Sequence, residues 1–497
     1  MSNRLFQGLP EHDHGICRLA WRSKYTLRNF AFRKKILFSK LHVNFGKSIV
    51  NIMKPPIRKA LYGTLIVVCA AFAAFIFING KNKPTFPELK ERTGALAKAP
   101  EWAETKVRVE KLLTELKAKP ADAKTQLLLA KEFMQEGRMT GDYSYYNKTA
   151  LDLINNVLAK DPKNFEAVCY KALVYLSQHR FAEGKEVANQ AVQMNPYNSF
   201  VYGLLVDANV EMGDYPLAVE MADKMVKVRP DIRSYSRVSY LRELHGDVPG
   251  SMEAIKLAVS AGYPGNEDTE WSRMVLAHLY EDTNQPDLAE VQYQTALEER
   301  PDYPFALAGL GRIARFKKDY ATAIQHLEKA RAVMSDASFY EELIDLYRLN
   351  NQPDKADECA RITADALMAD NISASKDKDL GHYSDRELAD LYLKMGKIDK
   401  AVEHARIEYQ RRPQNMDASE TLAWMLYKKG QVAEAAPLIA TTLRTNSQNP
   451  ERLVKAGLIM LANGQQNEGK DLISKGLALK PYMNETLAQE AKSHISG

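Results

Sequence analysis

Cysteine is scarce in this chain. Cys17, Cys69, Cys169 and Cys359 are the only four among 497 residues, and no two stand in a CxxC or another metal-ligand spacing. A disulfide framework and a polythiolate zinc site are thereby excluded. Catalytic signatures are missing as well: there is no GxSxG, HExxH, Walker or GxGxxG pattern. Gly309-Leu310-Gly311 is a lone GxG inside an apolar helical pattern, where glycine serves packing. Carboxylate pairs such as Glu281-Asp282 and Glu341-Glu342 fall on predicted exposed helix faces, and His278 and His326 lack ligand-spaced companions. The expectation is a non-enzyme with no cofactor, no metal and no small-molecule substrate.

An excess of charge of one sign is also lacking overall, since 68 basic and 63 acidic residues leave +5. The distribution is uneven. Residues 1–59 hold thirteen Lys and Arg against Glu11 and Asp13, so the remainder of the chain is net acidic. A mildly acidic folded part argues against nucleic-acid binding.

Long hydrophobic runs are absent but for one. Residues 60–80, ALYGTLIVVCAAFAAFIFING, carry no charge and are bracketed by Arg58-Lys59 and Lys81. Twenty-one helical residues span about 31 Å, the thickness of a bilayer's hydrocarbon core. The run reads as a transmembrane helix or signal-anchor. Its basic N-terminal flank is expected to stay cytoplasmic, with residues 81–497 across the membrane. The small-x-small tripeptide Ala71-Phe72-Ala73 lies within the apolar run, so an uncleaved anchor is favoured. Residues 1–59 read as a basic tail. Its first 52 residues are either disordered or untranslated sequence upstream of a start at Met53, and they include the ligand types His12, His14 and Cys17. Residues 81–99 read as a tether.

What the chain has in quantity is a repeat. KDYATA (318–323) returns in altered form as GDYPLA (213–218), NQPDLA (284–289), NQPDKA (351–356), GKIDKA (396–401) and GQVAEA (430–435). The closing small residue stands at Ala150, Gly184, Ala218, Ala289, Ala323, Ala356, Ala401, Ala435 and Gly469, in three groups spaced by 33 or 34 residues. Other positions keep step: Leu307, Leu310 and Ala314 form the i, i+3, i+7 stripe of one helix, and Ala323, Leu327 and Ala330 that of the next. Small residues at the crossing let the two helices approach closely. Gly137, Gly213, Gly396, Gly430 and Gly464 are placed to end first helices.

This set of spacings resembles the tetratricopeptide repeat (TPR) family over about 120–481. The resemblance implies an all-α solenoid of about ten helical hairpins coiled into a right-handed superhelix. The solenoid is expected over 100–481, with Asn484–Ile495 inside a capping segment (482–497) and a polar break, loop or hinge near 372–383. The divergent HGDVPGSMEA (245–254) fits as one further unit, and TGDYSYYN (140–147) as a lengthened turn whose tyrosines pack across the repeat or touch a partner.

The resemblance also implies a function: protein or peptide partners bound on the concave face, by the first helix of each hairpin. Carried onto this chain, the partner-facing positions are Phe200, Asp207, Trp271, Met274, His278, Phe305, Arg312, Arg315, Phe316, Arg348, Trp424 and Tyr427. No hairpin carries the Lys/Asn pair with which family members clamp a chaperone's C-terminal carboxylate. The expectation is a membrane-anchored scaffold or adaptor in envelope protein assembly, maturation or export. Two alternatives stay open, a structural subunit of a larger membrane complex and a cytoplasm-facing regulator.

Overall fold

The computed structural model describes residues 86–495, apart from 95, 380–381 and 481–482, together with a few positions between 60 and 71. The chain divides into two units, 1–85 and 86–497. In the first, the described positions between 60 and 71 are helical. The basic tail with His12, His14 and Cys17, and the rest of the expected membrane run, lie outside the described residues. Among the described residues no helix is long and apolar enough to cross a membrane.

The second unit is an all-α helical repeat solenoid, with no strand among the described residues. A lone helix, α1 (Pro100–Ala118), precedes ten hairpins. These are α2 and α3 (Ala123–Thr140, Tyr143–Leu158), α4 and α5 (Phe165–Ser177, Phe181–Met194), α6 and α7 (Ser199–Met212, Tyr215–Val228), and α8 and α9 (Ile232–Leu244, Val248–Ala261). Next come α10 and α11 (Glu267–Glu281, Pro286–Glu299), α12 and α13 (Pro304–Phe316, Tyr320–Val333), α14 and α15 (Ala337–Leu349, Pro353–Lys376), and α16 and α17 (Asp385–Lys394, Ile398–Arg411). The ninth pairs α18 (Met416–Lys428) with a broken second helix, α19 (Val432–Ala435) and α20 (Ile439–Thr442), separated by a 3-10 turn. The tenth is α21 and α22 (Pro450–Ala462, Gln466–Leu479), followed by α23 (Glu485–Ile495).

KDYATA shows how one bend is made. Lys318 takes the left-handed conformation at φ 61°, and the Asp319 N–H donates to the Ala314 carbonyl at 2.9 Å. The Asp319 carboxylate then accepts the Thr322 N–H at 3.1 Å and caps α13. Ala323 follows, fully buried; a Cβ on Gly311 of α12 would stand 3.3 Å from its carbonyl oxygen. Ala150, Ala218, Ala289, Ala356, Ala401 and Ala435 are likewise fully buried. Where glycine stands at this crossing in the tenth hairpin, even a methyl is too much: a Cβ on Gly469 would lie 2.8 Å from the Gly457 carbonyl oxygen. The left-handed residue is glycine in six other bends, and His179, Asn284 and Asn351 adopt it without that freedom.

One expected helix end moves. Gly137 lies inside α2, packed against Tyr146, and the helix runs on to Thr140, where Gly141 at φ 77° ends it. TGDYSYYN is therefore a bend capped by Asp142, with its tyrosines opening α3. Tyr146 is buried against Phe133, and the Tyr145 hydroxyl donates to the Glu88 carbonyl at 2.6 Å. The stretch from 86, expected within the tether, lies on the first hairpin. Arg92 forms an ion pair with Glu136 in which both side chains are 1% exposed.

Residues about two hundred positions apart meet repeatedly. Arg300 pairs with Glu101, Ser144 donates to Asp370, the Tyr215 hydroxyl accepts the Met416 N–H, and Lys480 pairs with Asp282. Met416 completes the apolar cluster that otherwise spans 168–244. The solenoid thus completes a turn about every two hundred residues and rests each turn against the previous one. Described parts of the polar stretch 372–383 belong to this seam: α15 continues into it to Lys376, and the carbonyls of Lys378 and Asp379 accept from Arg180 and Gln178 just after α4.

Candidate partner-binding surface

The expected partner-facing side chains come from first helices, and the solenoid gives them unequal surroundings. Met274 and Trp424 are only 3% and 7% exposed, so the first is core and the second nearly so. Trp424 stacks on Tyr427, whose hydroxyl donates to Glu490 of α23 at 3.1 Å. Phe200 is half-buried against the cluster built by α4–α8. Trp271 is 41% exposed and meets Phe305 edge to face at 5.0 Å; Phe305 in turn meets Phe339 at 5.6 Å. Phe316 is 38% exposed.

The charged positions have partners within the chain. Asp207 accepts two bonds from Arg237, at 2.8 and 2.6 Å. Arg312 reaches Glu281 at 3.2 Å, Glu342 at 3.1 Å and the Tyr293 hydroxyl at 2.9 Å. Its Nη2 also lies 3.3 Å from Nε2 of the exposed His278. Burial alone would raise the Glu281 pKa, but Arg312 and His278 hold that carboxyl well below the usual range. Arg315 pairs with Glu485 across the seam, and Arg348 makes a half-exposed contact with Asp357 at 3.5 Å. Arg312 and Arg315 are therefore structural cations here, while Trp271, His278 and Phe316 remain exposed.

Sequence reasoning passed over Glu243, His179 and His382, and it placed Glu341 on an exposed helix face, where the structure has it partly buried. Burial, helped by Asp282, pushes Glu243 up to about 7. Burial and Asp390 raise Glu341 well above the carboxylate range. His179, in the bend between α4 and α5, lies against His382 with ring centres 3.8 Å apart and planes tilted by 52°. Burial and His382 keep His179 well below the usual imidazole pKa, in its neutral form. No local pattern could have paired these two histidines, because the superhelical turn separates them by some two hundred residues.

The family model described as Tetratricopeptide repeat matches residues 274–337 and 386–450, so TPR repeats are present in this chain. Among solved structures it is similar to TTC0263, a thermophilic TPR protein of Thermus thermophilus, at 22% identity and TM-score 0.34, over 41% of this chain and 100% of that one. It is also similar to human IFIT1, solved as a dimer with PPP-AAAA, at 15% identity and TM-score 0.41, over 76% of this chain and 88% of that one. No curated protein matches.

Proposed function

We propose that this chain is a non-catalytic, membrane-anchored scaffold that binds a protein or peptide partner on the first-helix face around Trp271, His278 and Phe316. TPR repeats are typical protein-binding elements, which supports the general class. The observation that carries the reading is the 41% exposed Trp271, backed by the buried ring of Phe339 through Phe305. A large aromatic held by its neighbours offers contact area at little ordering cost. The hydrophobic run 60–80 supplies the anchor, and its basic flank orients the repeats outside the cytoplasm. Tethering then concentrates the partner at the membrane, as assembly, maturation or export of envelope proteins would need.

Two measurements test this. A photo-crosslinker placed beside Trp271 in the full chain, in native membranes, should capture a discrete protein, and Trp271→Ala should abolish that product without lowering the melting temperature. An unchanged product after Trp271→Ala would sink the proposed surface. External protease should degrade the repeats in spheroplasts; protection would reverse the proposed topology.

A further inference from the structure

We infer that His179, His382 and Glu387 form a divalent zinc site that staples two turns of the superhelix together. One ligand atom from each of the three side chains lies within 4.8 Å of the other two. The histidines are prepared as ligands. Nδ1 of His179 lies 2.9 Å from the Tyr383 carbonyl, and Nδ1 of His382 lies 3.2 Å from the Ser177 carbonyl. A carbonyl can only accept, so each Nδ1 carries the proton and each Nε2 keeps its lone pair. Backbone carbonyls orienting metal-ligating imidazoles in this way are a recurring feature of zinc sites.

The third ligand is independently marked. Oε2 of Glu387 is buried and has no hydrogen-bond partner. A carboxylate oxygen buried without a donor is costly, and a cation would satisfy it. Glu387 stands in the first turn of α16, a few residues after the loop that carries His382.

The donor set selects the metal class. Two imidazole nitrogens and one carboxylate suit zinc and its transition-metal neighbours, whereas calcium and magnesium prefer all-oxygen shells. Tetrahedral zinc with bonds of about 2.1 Å needs its ligands about 3.4 Å apart. The three atoms, within 4.8 Å of one another, would draw closer around the ion, and water would complete the shell. Two cations lie near His179, and both have acidic partners: Arg412 pairs with Glu408 and Glu211, and Arg386 with Asp417.

The site joins the α4–α5 bend to the loop before α16. The same two segments already meet through Arg180, which donates to the Lys378 carbonyl and to Asp379, both at 3.0 Å. Zinc would convert that polar contact into a fixed clasp.

The test uses the full chain carrying His12→Ala, His14→Ala and Cys17→Ser, which removes the other histidine–cysteine cluster. The protein is stripped with chelator and titrated with zinc chloride alone. The expected result is about one bound zinc per chain, a melting temperature higher by about 3 °C at saturating metal, and slower proteolysis between 377 and 384. His382→Phe keeps an aromatic ring beside His179 and should melt like the parent without metal, yet lose zinc binding at least about a hundredfold. Glu387→Gln should weaken binding with little change in the metal-free melt. Zinc bound equally by parent and His382→Phe, or by neither, overturns the inference. So does zinc binding that leaves the 377–384 loop equally open to protease.

Discussion

The sixth and ninth hairpins solve one packing problem with different local means. In α12 and α13 the second helix is continuous, and Ala323, Leu327 and Ala330 are all fully buried. In the ninth, Pro437 interrupts the second helix: it cannot donate a backbone hydrogen bond, and the segment passes through a 3-10 turn, Ala436–Leu438. Ala435, Ile439 and Thr442 nevertheless occupy the equivalent positions and are buried. Contacts at the crossing thus prevail over helix continuity. The break leaves a trace, a pocket of about 230 Å³ lined by Arg406, Tyr409, Leu422, Leu426, Glu434 and Leu438.

The sharpest way to break the comparison is to overfill the crossing. Ala323→Trp and Ala435→Trp should each destabilise the array by more than about 3 kcal/mol, read as a fall in denaturation midpoint. If the broken helix relaxes around the pocket, Ala435→Trp will be the milder of the two; an unchanged melt in both would refute close packing at these sites.

The electrostatics of the two hairpins come next. Burial alone would raise Glu420 of α18, but Lys455 and Arg452 bring its pKa down to about 2, much as Arg312 of α12 lowers Glu281. A carboxylate depressed in the fold stabilises it above the unfolded pKa of about 4.5, and that contribution is lost as pH falls toward 2. Glu420→Gln should therefore cost on the order of 3 kcal/mol at pH 7, with the gap to the parent closing between pH 4.5 and 2. Glu243 runs the other way. Its raised pKa makes the fold lose stability as pH climbs from about 4.5 to about 7. Glu243→Gln should accordingly raise the melting temperature at pH 8 and leave it unchanged at pH 4.

Restoring the broken helix is a smaller step. Pro437→Ala should gain about 1–3 kcal/mol, with more helical circular dichroism and a smaller pocket. No gain would mean that the 3-10 turn is held by its surroundings.

The least effect comes from the bends. Lys318 holds φ 61° with a side chain, whereas Gly430 holds φ 82° with open space around it. Lys318→Gly should stabilise and Gly430→Lys destabilise, each by about 1 kcal/mol. Equal signs would show that something other than backbone strain governs the bend.

Much of this was legible in the sequence because the repeat is local physics. The alanine closing each turn motif, the cap at Asp319 and the left-handed glycines involve neighbours within one hairpin, so a period of 33 or 34 residues exposes them. Gly137 misled because the same residue type serves close packing inside α2, and only the helix's actual end at Gly141 separates the two uses. The candidate surface was less legible. Position within a repeat marked Trp271 and Arg315 alike, but could not say that Arg315 would meet Glu485 from another turn.

The sequence by itself determined the helical hairpins, their number and the small residues at each crossing, since those depend on side-chain size and spacing over a few tens of residues. Only the tertiary structure decided which first-helix charges are already paired, how 86–94 and 377–379 are held, and that His179, His382 and Glu387 converge. Superhelical pitch is the sum of small rotations between successive hairpins, and that sum brings residues two hundred positions apart into contact.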